Sequence, residues 1–345
     1  MERNRGLDLL RLLAGMAVVM LHYNYGYVFQ LMDNIPTANR MLLYGMEALC
    51  VPAVNVFMLI SGFFLFRTDK RSLGKVLNLF IMIIIFRELF YIGPVALGRH
   101  PFEWDLFLRN LVPNLYFIVL YSVVYLVSPY LNMVIRRLSS KGVLRLLLIL
   151  FILLSLEPWQ VDVLEKNAHD SFRGMNMVSF SGADGGQSLV HFAFMYIIGA
   201  SLCRLEQLGH KMNIKWGGVY LATTIIIFLT YTILSPWMGQ PYYSPFVVIQ
   251  AVALFSLFRK VDRKPFMSRL SKAALTCYII HIPFLHFLRI DFFIQQPVYV
   301  LAIQIIASLI GIYLLAFVFM TTYDFIFKRP QEKLNQLKIN YFIDD

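Results

Sequence analysis

The stretch DLLRLLAGMAVVMLHY, residues 8–23, reads as a membrane span that carries two foreign residues, Arg11 and His22. A hydrocarbon core about 30 Å thick is crossed by about 20 mostly apolar helical residues. The run from 7 to 27 meets that length. A guanidinium and an imidazole are costly in hydrocarbon and face a bundle interior or a wet cavity instead. At 100° per residue, Arg11 and His22 fall within about 20° of one helix face and lie about 16 Å apart along the axis. Asp8, three residues before Arg11, shares that stripe and is placed to pair with it. With the helix starting near Leu7, His22 lies about 22 Å along it and Arg11 near its beginning.

The rest of the chain fits the same solvent. Of 345 residues 59% are apolar and only 15% charged, and the mean hydropathy is +0.64. A soluble domain holds roughly 25% charged residues, so the class is a polytopic membrane protein. Ten runs are candidate spans: 7–27, 46–66, 75–95, 113–133, 143–160, 189–205, 216–236, 243–259, 270–289 and 297–320. The expected fold is an all-α bundle of about ten transmembrane helices, with a membrane domain over 1–330 and a short tail over 331–345.

Charge supplies the orientation, because short cytoplasmic loops collect Lys and Arg. With both termini inside, the inner segments hold 23 of the 31 basic residues and the outer loops six, with Arg11 and Arg87 inside spans. The net charge of +11 is therefore a topology signal and not a nucleic-acid footprint, and anionic lipid headgroups are the bland partners of the basic loops. The first run is longer than the apolar core of a signal peptide and lacks an A-x-A-like cleavage site, so it is expected to stay attached. Cys50, Cys203 and Cys277 sit singly on apolar segments without metal or redox spacing. The polar stretch that begins EPWQVDVLEKN at 157 and runs to 188 reads as a lid over the outer face.

Several stretches, in order, carry a resemblance to a known family. DLLRLLAGMAVVMLHY resembles the R-x10-H pattern that opens the membrane-bound acyltransferase-3 family, whose members O-acylate cell-surface carbohydrates and related acceptors. VNVFMLISGFFLF (54–66) resembles its second-helix pattern through Ser61, Gly62 and Phe63. NLYFIVLYSVVYLVSPYLN (114–132) resembles the fourth span, with Asn114 and Tyr116 where many members carry His and Trp. FAFMYIIGASL (192–202) and LSKAALTCYIIHIPFL (270–285) resemble the Gly-containing sixth span and the His-ended ninth. The family's basic pair after the second helix is approximated by KRSLGK, with Arg71 and Lys75 four residues apart.

The resemblance implies a cytosolic acyl-CoA donor, with acetyl-CoA as the commonest case, and a sugar hydroxyl as acceptor at the outer face of a bacterial cytoplasmic membrane. It implies no permanently bound cofactor and no metal. On that reading His22 is the general base, since imidazole takes and returns a proton near neutral pH. Asn55, at a similar level on the second helix, is expected to fix the imidazole tautomer or donate to the developing oxyanion. Asp8 and Arg11 shape the inner mouth, where Arg71, Lys75 and the RKVDRK run at 259–264 are placed to meet the CoA phosphates. Ser61 lies deeper toward the cytoplasm and reads as a close-packing serine beside the donor, so direct transfer without an acyl-serine is expected. Tyr116, Asn114, Tyr278, His281, Arg87 and Glu88 complete the candidate substrate contacts. Tyr278 and His281 share a helix face at i, i+3, and Arg87 and Glu88 point apart.

Two other classes compete. A transporter or flippase for a polysaccharide or lipid-linked sugar also buries Arg, Glu and His along its path, and it often shows matching halves with broken helices, of which this sequence has none. A membrane scaffold leaves His22 replaceable.

Overall fold

The computed structural model of the chain describes residues 4–24, 34–167, 185–210, 212–234, 241–261, 267–339 and 341. Helix α1 (Arg5–Tyr23) is followed by α2 (Thr37–Cys50) and α3 (Ala53–Leu65). Next come α4 (Leu73–Ala96), the short α5 (Trp104–Asn110), α6 (Tyr116–Arg136) and α7 (Ser140–Phe151), which passes through a π turn at Ile152–Leu156 into α8 (Glu157–Asn167). Then follow α9 (Leu189–Gln207), α10 (Trp216–Leu229), α11 (Pro245–Arg259), α12 (Met267–Leu270), α13 (Ala274–Phe287), α14 (Ile290–Phe293) and α15 (Val298–Leu334). The described strands are β1 (Arg71–Ser72) and β2 (Lys338–Ile339), paired antiparallel.

Each of the ten expected runs is helical over most of its described residues. Among the described residues, eight helical stretches are long and apolar enough to cross a membrane, and α11 is a shorter apolar helix. Helix α13 is shorter still, because 14 residues span only about 21 Å. The second run begins nine residues earlier than expected, at Thr37, and is broken where Pro52 removes a helix hydrogen bond between α2 and α3. The expected lid is helical through Asn167; its remainder, 168–184, lies outside the described residues. Helix α15 carries on past position 330 to Leu334. The three cysteines are free thiols.

An inner set of helices packs on itself while an outer set turns apolar side chains outward. Two thirds of the apolar windows of α1, α2–α3 and α9 are buried, against 22% for α4 and 28% for α15. Leu89, Leu148, Leu221, Ile303 and Val318 are exposed accordingly, as a lipid-facing surface requires. The chain is a multi-pass membrane protein. The centre is the α3–α9 contact, the most extensive in the bundle. A methyl group built on Gly62 would run into the Tyr196 carbonyl, and one on Gly199 into that of Leu59. Each glycine is the gap that lets the other helix's backbone approach.

The bundle has two distinct ends. At the end where α1 starts and α3 stops, called the basic end, Arg71 is only 1% exposed. Its Nε donates to Tyr125 O and to Ser128 Oγ (3.2 and 2.7 Å), its Nη1 to Thr68 O and Lys70 O, and its Nη2 to Leu65 O. The Leu65 carbonyl, an orphan of the last turn of α3, also accepts from Asn132 Nδ2. Arg71 therefore ties α3, α4 and α6 together. Arg71→Ala is expected to cost about 3 kcal/mol or more, because buried carbonyls lose a charged donor; a large drop in thermal unfolding temperature in detergent checks it, and Lys75→Ala, at an exposed position of α4, should leave that temperature nearly unchanged.

Candidate active site

Helix α1 is fixed at its start by Asn4, whose Oδ1 accepts from Leu7 N–H and whose Nδ2 donates to Arg259 O. One turn on, the buried Asp8 accepts from Arg11 Nη1 at 3.1 Å, as the shared stripe predicts. The guanidinium of Arg11 lies over the Phe64 ring of α3 at 5.1 Å. Arg11 thus faces the bundle and not the surface alone.

Arg11 opens onto a cavity of about 420 Å³ enclosed by α1, α3, α4, α6 and the start of α13. At its basic end Lys75, Lys272 and Asn335 form the rim; Ser61, Tyr121 and Phe117 line the middle; Val18, Val54 and Tyr278 line the far end. The aromatic wall is one face of α6, where Phe117, Tyr121 and Tyr125 recur every four residues and stack in sequence. Ser61 Oγ donates to Phe57 O at 2.8 Å, so its proton is held by the preceding turn of its own helix.

His22 stands one turn beyond Val18. Its Nδ1 is 2.9 Å from Val18 O; a carbonyl only accepts, so Nδ1 carries the hydrogen and Nε2 is left as a bare lone pair. His281 repeats the device on α13, with Nδ1 3.1 Å from Cys277 O. The two rings meet edge to face with centroids 4.5 Å apart, and the bare Nε2 of His281 is buried without a partner in the described residues. Tyr278 lies 5.8 Å from the His281 ring and 5.3 Å from Phe117, centroid to centroid. A basic rim and an aromatic bore therefore form one cavity, and the His22–His281 pair lies one turn of α1 beyond Val18 at its far end.

Asn55 is used elsewhere. Its Nδ2 donates to Tyr242 O at 2.7 Å, which fixes the amide's orientation, and its Oδ1 accepts from His191 Nε2 at 2.8 Å. The tautomer of His22, expected to depend on Asn55, is set by Val18 O. The Asn55–His191 pair holds the 241–244 loop over the far end, where Tyr242 N–H also donates to Gly185 O and Ser155 Oγ to Tyr243 O. The Tyr242 phenol hydrogen-bonds Tyr116, and its burial pushes its ionisation well up, so it stays neutral.

The other expected residues divide. Lys75 is on the cavity rim and Tyr278 at its far end, with Tyr116 near by against Phe192. Arg71 faces away from the cavity, with its donors taken as described. Arg87 donates to Asn110 Oδ1, Val112 O and the side chain of Asn114, so Asn114 and Arg87 brace the turn before α6. The carboxylate oxygens of Glu88 are buried without a partner in the described residues, on the other side of α4 from Phe86, which packs inward. Within 259–264, Arg259 pairs with Glu206 at 3.1 Å, and 262–264 lie outside the described residues.

Sequence reasoning missed Lys272, Phe117, Tyr121, His191 and Tyr242. The four-residue recurrence of Phe117, Tyr121 and Tyr125 was a readable signal, and Lys272 sits inside the LSKAALTCYIIHIPFL stretch; His191 and Tyr242 carried none. Among the described residues, no cluster of His, Cys, Asp and Glu is arranged to hold a metal ion.

The family described as acyltransferase domain, of the acyltransferase-3 type, matches residues 4–321. No curated protein and no solved structure matches the chain.

Proposed function

Because the chain belongs to the acyltransferase-3 family, we propose that it is an integral-membrane O-acyltransferase that moves an acyl group, acetyl in the simplest case, from cytosolic acyl-CoA to a hydroxyl of an extracytoplasmic or lipid-linked carbohydrate. The basic end then faces the cytosol of a bacterial cell. The observation that carries this reading is a cavity that runs from Lys75 and Lys272 to Val18 and Tyr278, ending one turn below two bare imidazole nitrogens. Its rim matches phosphates, its bore a slender apolar arm, and its end a proton acceptor.

The chemistry follows. Lys75, Lys272 and Arg11 hold the anionic end of the donor, and the pantetheine arm lies along Ser61, Phe117 and Tyr121. The thioester reaches the level of His22. His22 Nε2 takes the acceptor's hydroxyl proton as the oxygen attacks the thioester carbonyl, the C–O bond forms, and the C–S bond breaks. The same imidazole returns the proton to the departing thiolate, leaving an ester and free CoA thiol. No net proton is consumed and no acyl-serine is formed, in keeping with the Ser61 proton held by Phe57 O. The 241–244 loop, pinned by Asn55, bounds the acceptor's side.

The test is thiol release from acetyl-CoA by the chain in nanodiscs, with a crude surface-glycan acceptor. Release that depends on both substrates supports the reading; a folded protein that binds glycan and releases no thiol from any acyl-CoA overturns it in favour of transport. Reversing the rim charge, Lys75→Glu with Lys272→Glu, is expected to raise the KM for acetyl-CoA more than tenfold and to change kcat far less, since the phosphates are distant from the reacting carbonyl.

A further inference from the structure

The segment after α15 turns back to the mouth of the cavity. Lys338–Ile339 pairs with Arg71–Ser72 in the register Arg71↔Ile339 and Ser72↔Lys338. Leu73 N–H donates to Leu337 O at 3.0 Å, and Ser72 Oγ to Asn335 O at 3.3 Å. Tyr341 meets the Tyr130 ring of α6 at 5.7 Å between centroids. The first turn of α4 lies so close to the end of α15 that a methyl group on Gly74 would run into Leu334 O. The segment is thus latched on both sides of the basic rim.

It is also part of that rim. Asn335 is exposed, and it lines the same cavity as Lys75, Lys272 and Arg11. Its backbone is committed to Gln331 O and Ser72 Oγ, so the latch fixes its position at the mouth. Gln336, equally exposed, does not line the cavity.

We infer that Asn335, held in place by residues 336–339, is a wall of the donor site and meets the polar, phosphate-bearing end of acyl-CoA. The inference rests on the function proposed above and assigns to the same site an element that lies beyond residue 321, where the family match stops. The β1–β2 latch is what keeps the wall in place. Donor affinity then depends on a segment far in sequence from the reacting histidine.

The experiment compares CoA binding, by titration calorimetry in nanodiscs, for the wild type, Asn335→Asp and Gln336→Asp. Both substitutions add one negative charge to neighbouring exposed positions, so bulk electrostatics and folding are matched. Asn335→Asp is expected to weaken CoA about tenfold by setting a carboxylate against phosphate, and Gln336→Asp to change it less than twofold. A chain deleted from 335 onward, if it keeps its unfolding temperature, is expected to weaken CoA at least as much as Asn335→Asp. Equal effects of the two point variants, or none, overturn the wall. A wild type that binds no CoA removes the donor reading itself, and the wall falls with it.

Discussion

Replacing His22 by alanine is expected to lower thiol release from acetyl-CoA by about a thousandfold while CoA still binds. Loss of a positioned general base costs about 10² to 10⁴ in rate, and the rim that holds the donor lies more than ten residues along α1 from His22. The loss therefore falls on kcat and leaves the donor KM nearly unchanged. His281→Ala loses less, about tenfold, because Val18 O continues to orient the His22 ring and only its edge-on neighbour is gone. In the wild type and in His281→Ala, turnover is expected to fall on acidification, because a protonated imidazole accepts no proton; in His22→Ala the residual rate is expected to lose that dependence. Wild-type turnover in a folded His22→Ala protein would remove the base from α1 and with it the proposed mechanism.

Gly199→Val and Gly62→Val fail at an earlier stage, in assembly. The added carbons have no space, since the carbonyls of Leu59 and Tyr196 occupy the place of a Cβ. Backbone does not move aside as a flexible side chain does, so α3 and α9 must separate along their whole contact. Overpacking of a well-packed core costs about 1–3 kcal/mol, occasionally more, and this site stands at the upper end. The expected result is little monodisperse protein in detergent and a large fall in unfolding temperature. Gly45→Ala and Gly311→Ala meet nothing within 4 Å and are expected to be neutral, or to stabilise by up to about 1 kcal/mol through helix propensity. Matching behaviour of the two pairs would contradict the close α3–α9 approach.

The helices were legible because each needs its own apolar length, whatever its neighbours do. The pairing of Asp8 with Arg11 and the common face of Arg11 and His22 were legible for the same local reason, the fixed turn of one helix. What escaped were relations between helices. The Asn55 amide is taken by His191, which sits in an apolar stretch of the sixth run with nothing nearby to announce a partner on the second. Arg71 looked like a phosphate ligand by its place after a helix in a basic loop, but its neighbours in space are the carbonyls of Leu65 and Tyr125. Thr37 opens α2 in a polar segment where an apolar window has nothing to detect. Gly62 and Gly199 each lay in a quoted stretch, and only the fold shows that they face one another.

The meeting of His22 with His281 bears on how the protein comes into being. One ring sits on α1 and the other on α13, 259 positions later in the chain, so the pair forms only after the segments between them have been made. Until then α1 waits in the bilayer with Arg11 and His22 lacking their later neighbours, held by Asp8 and its own carbonyls. Contacts so distant in sequence close late, and a chain cut short before α13 has His22 without Tyr278 and His281. The His22–His281 contact is thus absent through most of synthesis and forms only with the closing of the bundle.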